Sequence, residues 1–280
     1  ELIFITGHLK EQVEAHVKEH YRLPSRFVEQ VVQDGTAGAI NLARPYVNGP
    51  VLIVFVDTLF DADLTLVKQV DADGVMWVKE VEDYRRFGVV VTDDQGNMTR
   101  IVEKPSEPIS RLANIGLYYV RDWKLLFDGI DDTLARPQNK GEWYLTDAFQ
   151  YMIDRGSKIK TAEVAGWYDC GKIETLLQTN MHLLQQGRAT QRDYDRGVTI
   201  VDPVRIAEGV ELEACTIGPN VSMETGTIVR DSVLSHAIVG REARIVDSTL
   251  EYVLIGDRTE VAGRAGSGLV AAGGEISEAH

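Results

Sequence analysis

Cysteine is scarce in this chain: two in 280 residues, Cys170 and Cys215. They lie far apart in sequence and neither sits at a metal-ligand spacing, which argues against a disulfide framework or a zinc site. Long apolar runs are lacking as well. No stretch approaches the roughly 18 consecutive apolar residues of a membrane span. The opening "ELIFITGHLKEQ" has neither the basic region nor the small-residue cleavage pattern of a secretory leader. The expectation is a cytoplasmic protein with no membrane partner. Positive charge is in deficit, with 29 Lys and Arg against 43 Asp and Glu for a formal net charge of -14. With no compensating basic run, such a surface repels nucleic acid. A phosphate-rich substrate would then need a divalent cation.

What is present is ordinary globular composition, 44% apolar and 26% charged. "ELIFITGH" reads as a buried strand, and "LKEQVEAHVKEH" places Leu9, Val13 and Val17 at helical spacing. "SRFVEQVV" and "VLIVFVDT" read as further strands, separated by the Gly-containing turn and helix of "DGTAGAINLARPYV". Strands alternating with helices predict a Rossmann-like, mostly parallel sheet with helices on both faces. Ligands of such sheets bind at the carboxyl ends of strands, where Asp57 stands. "RFGVVVTDDQGNMTRIVEKP" predicts a hairpin turning at Asp93-Asp94-Gln95-Gly96-Asn97, and "LANIGLYYV" another strand. "GEWYLTDAFQYMIDRG" and the Leu-rich segment ending at Gly187 read as helices.

From about residue 198 the period changes. Ile200, Ile206 and Leu212, then Ile217, Met223 and Val229, then Val239 and Ile245, then Ile255 and Val261 recur every six positions, with a slip near Cys215-Thr216. Six is neither a helical nor a simple strand period. It predicts a parallel β-helix in which each coil buries its aliphatic side chains by stacking on the next, the alternative being irregular hairpins. The expected division is an α/β domain over 1–187, a linker over 188–197 and a β-helix over 198–280. A short solenoid leaves an exposed end and flank, so self-association into a homo-oligomer is expected.

The ordered series "EQVVQDGTAGAINLA", "VDTLFD", "FGVV", "VEKPSEP", "LANIGLYYV", "GEWYLTDAF" and "WYDCGKIETLL", followed by hexapeptide repeats, resembles the sugar-1-phosphate nucleotidylyltransferases, and within them the glucose-1-phosphate thymidylyltransferase-like branch. The resemblance runs from residue 1 to about 185, and the repeats agree with the left-handed β-helix that many members carry. It implies a nucleoside triphosphate, thymidine or uridine, and a sugar 1-phosphate as partners, with magnesium as cofactor. In such chemistry the sugar phosphate attacks the α-phosphate in line, and catalysis is mainly positioning and charge neutralisation. By resemblance Asp57 and Asp169 are the metal carboxylates. Lys104 meets the sugar phosphate and Glu103 the sugar hydroxyls. Gly88, Asn114, Gly116 and Glu142 line the same site, Asn114 through its backbone and Glu142 with the weaker claim, since it also reads as an acidic residue at a helix start. Gln30, Gly35 and Thr36, in the spacing Q-x-x-x-x-G-T-A, would meet the base.

Two departures stand out. Relatives begin with a strand and a Gly-rich loop carrying an Arg and a downstream Lys that cradle the triphosphate. This sequence shows no such loop and starts where the family's second strand would lie, roughly forty to fifty residues on. The expectation is weak nucleotide binding and little turnover by these 280 residues. Val56 also stands where relatives carry Gly, and its side chain would crowd a nucleotide. Two other classes stay open. One is an acyltransferase using His236 as a general base on the β-helix; the other is a non-catalytic nucleotide-sugar-binding or oligomerisation subunit.

Overall fold

The computed structural model describes residues 1–190, 194, 197–267, 269–272 and 275–278, the last two segments as backbone only. Residues 191–193, 195 and 196 of the expected linker lie outside the described residues, as do 268, 273–274 and 279–280 of the expected β-helix. The chain forms two compact units, Glu1–Val56 with Phe60–Trp167, and Asp57–Leu59 with Tyr168–His280. No helix among the described residues is long and apolar enough to cross a membrane.

The first unit opens with β1 (Leu2–Thr6), α1 (Lys10–His20) and β2 (Ser25–Glu29), a right-sized βαβ step whose strands pair in parallel from Leu2 opposite Ser25 to Thr6 opposite Glu29. Of the apolar face expected on α1, Val17 is buried, whereas Leu9 and Val13 are exposed. After α2 (Thr36–Ala43), β3 (Val51–Val54) is only four residues long, and Asp57 falls in the turn before β4 (Thr58–Asp61). Next come β5 (Gly74–Glu80), β6 (Gly88–Thr92), β7 (Met98–Glu103) and β8 (Leu112–Val120). The β6–β7 hairpin turns where expected, because Asp93 Oδ1 accepts from the backbone of Gln95 and Asn97. α3 (Trp123–Leu134), α4 (Leu145–Asp154) and β9 (Ile159–Glu163) complete the unit's elements, and β10 (Gly166–Asp169) follows where the chain passes to the second unit.

The α/β architecture is as expected, with more mixed strand directions than the repeating strand–helix pattern implies. β5 and β9 are parallel, but β8 runs antiparallel to β3, β5 and β6. The chain from β5 to β8 contains no helix long enough for a parallel crossover, so its strands turn back on themselves. β5 and α3 carry no part of the sequence expectations, yet they build the core. Met76, Tyr118, Leu126, Ile130 and Phe149 pack between the sheet and α3 and α4; Val75, Trp77, Ile115 and Leu117 pack on the other face beneath the 3-10 turn Leu64–Lys68. That second face is thus covered by a short turn rather than by an α-helix.

One edge of β8 positions the site. Its beginning pairs with β6, through Leu112 and Ala113, and its end pairs with β3, through Leu117 to Val120. Between them Gly116 has φ +77, and its carbonyl accepts from Phe55 N at 2.8 Å. A Cβ at Gly116 would stand 2.8 Å from Phe55 Cβ, so both the backbone conformation and the close approach demand glycine.

In the second unit α5 (Ile173–Leu183) packs on the solenoid, Asn180 Nδ2 donating to Asn220 O at 3.2 Å while Ser222 Oγ donates to Asn180 Oδ1. α5 thus belongs to the same unit as the solenoid, which the chain enters after Trp167. The solenoid makes about four turns, consistent with a left-handed β-helix. Thr199 pairs with Thr216, a 17-residue coil, whereas Val233 pairs with Thr249, a 16-residue coil. Strict hexads would give eighteen. The shortfall sits at corners where Ala214, Asp231, His236, Asp247 and Tyr252 adopt φ of 48, 47, 49, 47 and 51, turning the chain in fewer residues. Those five-residue sides explain the slip in the repeat, and they bury Leu234 and Leu250, which the six-residue count skips.

Gly116→Ala is expected to cost about 1–3 kcal/mol for the backbone conformation plus a steric term. Gly156, at φ +84 with nothing within 4 Å of a Cβ, isolates the first part. Urea midpoints should therefore fall further for Gly116→Ala than for Gly156→Ala; equal losses would refute the role given to Phe55.

Candidate active site

In the first unit the strand pairing itself assembles a polar cluster. Gly88 begins β6 directly opposite Glu103, which ends β7. Asn114, where β8 leaves β6, donates from Nδ2 to Gly88 O at 2.9 Å, and the Tyr118 hydroxyl donates to Asn114 Oδ1. Thr146, in the first turn of α4, donates to Glu103 Oε2 at 3.2 Å. A Cβ on Gly88 would stand 2.3 Å from Asn114 Nδ2, 2.8 Å from Glu103 Oε2 and 2.9 Å from Thr146. Glycine is therefore required by three converging side chains, beyond any need of the strand. The structure thus brings Gly88, Glu103 and Asn114 together, with Gly116 two residues further along the same strand.

The electrostatics of this cluster follow from burial. Glu103 is held above the usual carboxylate range by desolvation, an effect partly offset by the Lys104 charge and the Thr146 hydrogen bond. The Tyr118 phenol is pushed up by full burial and further by Glu103, so it is a hydrogen-bond donor at any physiological pH. Lys104 has φ 42 and donates its N–H to Phe87 O at 3.0 Å. Its ammonium lies 3.9 Å from Glu103 Oε1 and 5.0 Å from the centroid of the Tyr144 ring, and its side chain is 39% exposed. That is a cation held beside a polar cluster yet open to an anion from solvent.

The segment expected to meet a base is engaged with the protein. Gln30 Nε2 donates to Asp34 Oδ1 at 2.9 Å and to Gly35 O at 3.1 Å, leaving its Oε1 as the available group. Gly35 has φ +114, and a Cβ there would lie 2.4 Å from Trp143 O, so its close neighbour is backbone. Thr36 Oγ1 accepts from Leu145 N at 2.9 Å. Glu142 is exposed in a turn closed by reciprocal backbone bonds with Asn139, three residues before α4 begins. It is not a first-turn residue.

The second unit holds the two aspartates. Asp57 O accepts from Cys170 N at 2.8 Å, which ties the turn after β3 to the end of β10. Asp169 Oδ1 accepts from Gly171 N at 2.9 Å. The position of a Cβ on Gly171 is 3.0 Å from Asp169 Oδ1 and 3.9 Å from Asp57 Oδ2, so both carboxylates border the space beside Gly171. No group of three His, Cys, Asp or Glu is gathered for a metal among the described residues. Two hard carboxylates, with remaining positions left to water and substrate, suit Mg2+ rather than a fully protein-caged ion. Val56, beside Asp57, is 85% exposed. His236 occupies a solenoid corner at φ 49, stacked on Tyr252 with Nδ1 3.7 Å from Glu251 Oε1.

Tyr118, Thr146 and Gly171 carry parts of these sites without having been singled out in the sequence. Tyr118 was findable, since i and i+4 on a strand share a face, but Thr146 reaches Glu103 only through tertiary packing.

A family model described as nucleotidyl transferase matches residues 1–186. The bifunctional protein GlmU of Methanococcus aeolicus is 34% identical over 214 residues, covering 76% of this chain and 50% of that protein. A glucose-1-phosphate thymidylyltransferase of Streptomyces griseus is 25% identical over 286 residues, covering 92% and 79%. A solved UDP-glucose pyrophosphorylase complexed with UDP-glucose shares the fold, with TM-score 0.58 at 22% identity over 66% of this chain and 81% of that one. The chain spans about half the length of the first curated relatives it matches. With two thirds of its residues under that family model, the chain belongs to the nucleotidyl transferase family.

Proposed function

We propose that the protein transfers a nucleotidyl group from a pyrimidine nucleoside triphosphate to a sugar 1-phosphate, glucose 1-phosphate being the favoured sugar. The observation that carries this reading is the Gly88–Glu103–Asn114 cluster with the Lys104 ammonium beside it. An acceptor carboxylate suits sugar hydroxyls, the backbone at Gly88 can approach a ring closely, and Lys104 supplies a point charge for the phosphate. Relatives named for thymidylyl and uridylyl transfer to glucose 1-phosphate support the choice of sugar and of a pyrimidine. Gln30 fits the same choice: its amide is spent on Asp34 and Gly35, and its remaining oxygen can accept from the N3–H common to thymine and uracil.

Asp57 and Asp169 would hold Mg2+, which neutralises phosphate charge when bound. The chain's own residues orient the reactants. Lys104 steadies the sugar phosphate, one of whose oxygens forms a bond to the α-phosphorus while the bond to the β-phosphate oxygen breaks and pyrophosphate leaves. In this reading the solenoid is a platform for self-association, with Val201 and Val233 exposed on its flank.

Calorimetry provides the test. Glucose 1-phosphate should bind, and Lys104→Ala should weaken it about 10- to 100-fold, the worth of one charge-assisted contact. Asp57→Asn should leave that binding in place but abolish the Mg2+-dependent gain in affinity for thymidine or uridine triphosphate. Failure of the wild-type protein to bind any of the three would favour a scaffold without catalysis.

Glu103 gives a pH prediction with a definite sign. Because the folded state holds the Glu103 proton more tightly than the unfolded chain, this group's stabilisation is present below the ordinary carboxylate value and lost as pH rises through the raised one. Sugar affinity should move the opposite way, falling as pH drops through the raised value and the acceptor charge is lost. Glu103→Gln should flatten both profiles, as read by thermal unfolding and by glucose 1-phosphate titration between about pH 4 and 7.

A further inference from the structure

The base segment and the start of α4 are joined by a strut of backbone and side-chain bonds. Trp143 N donates to Asp34 O at 2.8 Å, and Ala37 N donates to Trp143 O at 3.0 Å, so this one residue is held on both sides by the segment that opens α2. Gly35 leaves the room for it. The residue before α4, Tyr144, makes no side-chain cap, and the Leu145 N–H is satisfied instead by Thr36 Oγ1, a hydroxyl 109 residues distant in sequence. Helix starts carry unpaired N–H groups that a side-chain oxygen normally satisfies from the adjacent residue. Here the cap comes from the other segment. Immediately after Leu145 stands Thr146, which holds the Glu103 carboxylate, and immediately before it Tyr144, whose ring faces Lys104. At the far end Gln30 pins Asp34 and Gly35.

We propose that Thr36 is a positioning residue of the sugar subsite, acting through α4, and that the Trp143 strut makes the base and sugar subsites shift together. The inference rests on the sugar-phosphate reading above for its ligand, and on Thr36, Leu145 and Thr146 for its geometry. A hydroxyl that caps α4 fixes where Thr146 presents its own hydroxyl, and so which way Glu103 aims Oε1, the oxygen on the Lys104 side. Since coupling between two sites is reciprocal, order imposed on residues 30–36 by a nucleotide is returned as affinity for the sugar phosphate.

Thr36→Val keeps the shape and removes the acceptor, and Thr36→Ser restores it. In Thr36→Val the Leu145 amide should exchange its hydrogen at least about fivefold faster, the loss of one helix cap, and the glucose 1-phosphate Kd should rise by a similar factor. In Thr36→Ser both should return to the wild-type values. Unchanged Leu145 exchange in Thr36→Val would overturn the proposal, as would a loss confined to nucleotide affinity with sugar affinity intact. Should the wild-type protein bind no sugar phosphate, the functional reading fails, while Leu145 exchange still decides whether Thr36 holds the start of α4.

Discussion

The first unit depends on β8 changing partners along one edge. A strand of nine residues paired to β5 on one side must satisfy β6 and then β3 on the other, and it passes between them over the three residues Asn114, Ile115 and Gly116. Backbone groups at such a break are costly when buried and unpaired. Here Gly116 O takes Phe55 N, and the Asn114 side chain takes Gly88 O. The break is therefore closed by groups that also define the polar cluster, and its geometry leaves little tolerance: glycine is required at Gly116 by Phe55 and at Gly88 by Asn114, Glu103 and Thr146.

Burial then determines the chemistry. Tyr118 and Asn114 satisfy each other inside the core, and because a partly satisfied buried network costs more than an apolar one, the arrangement is rigid as a set. Glu103 sits at the margin of that network, mostly shielded, with Thr146 on one oxygen and Lys104 near the other. A carboxylate so placed, once ionised, has acceptor capacity for hydroxyl groups. In the second unit the two aspartates are arranged by a different device, main-chain N–H groups at Cys170 and Gly171 that fix one carbonyl and one carboxylate oxygen.

What could be read in advance was whatever local pattern or position encodes. Asp57 stands out in an apolar run because it follows a strand, and the solenoid announces itself by period. The corners hide Leu234 and Leu250 from a strict six-residue count, since a left-handed corner shortens a side without any compositional mark at Ala214 or Asp231. β5 shows no alternation because both its faces are buried, the signature of a central strand that periodicity cannot separate from a helix. Gly35 and Thr36 were legible as unusual positions, but the partners they meet, Trp143 and Leu145, lie over a hundred residues away. The antiparallel course of β8 is likewise a property of long-range pairing. Composition and spacing report what a residue can do; only the fold reports to whom.

The central claim is that the broken edge of β8 is where a sugar phosphate binds. Backbone amide chemical shifts of the labelled protein titrated with glucose 1-phosphate test it most directly. The account predicts saturable shifts concentrated at Gly88, Glu103, Lys104, Asn114, Ile115, Gly116 and Thr146. Shifts centred on the solenoid instead, or none at any concentration short of nonspecific binding, would contradict it.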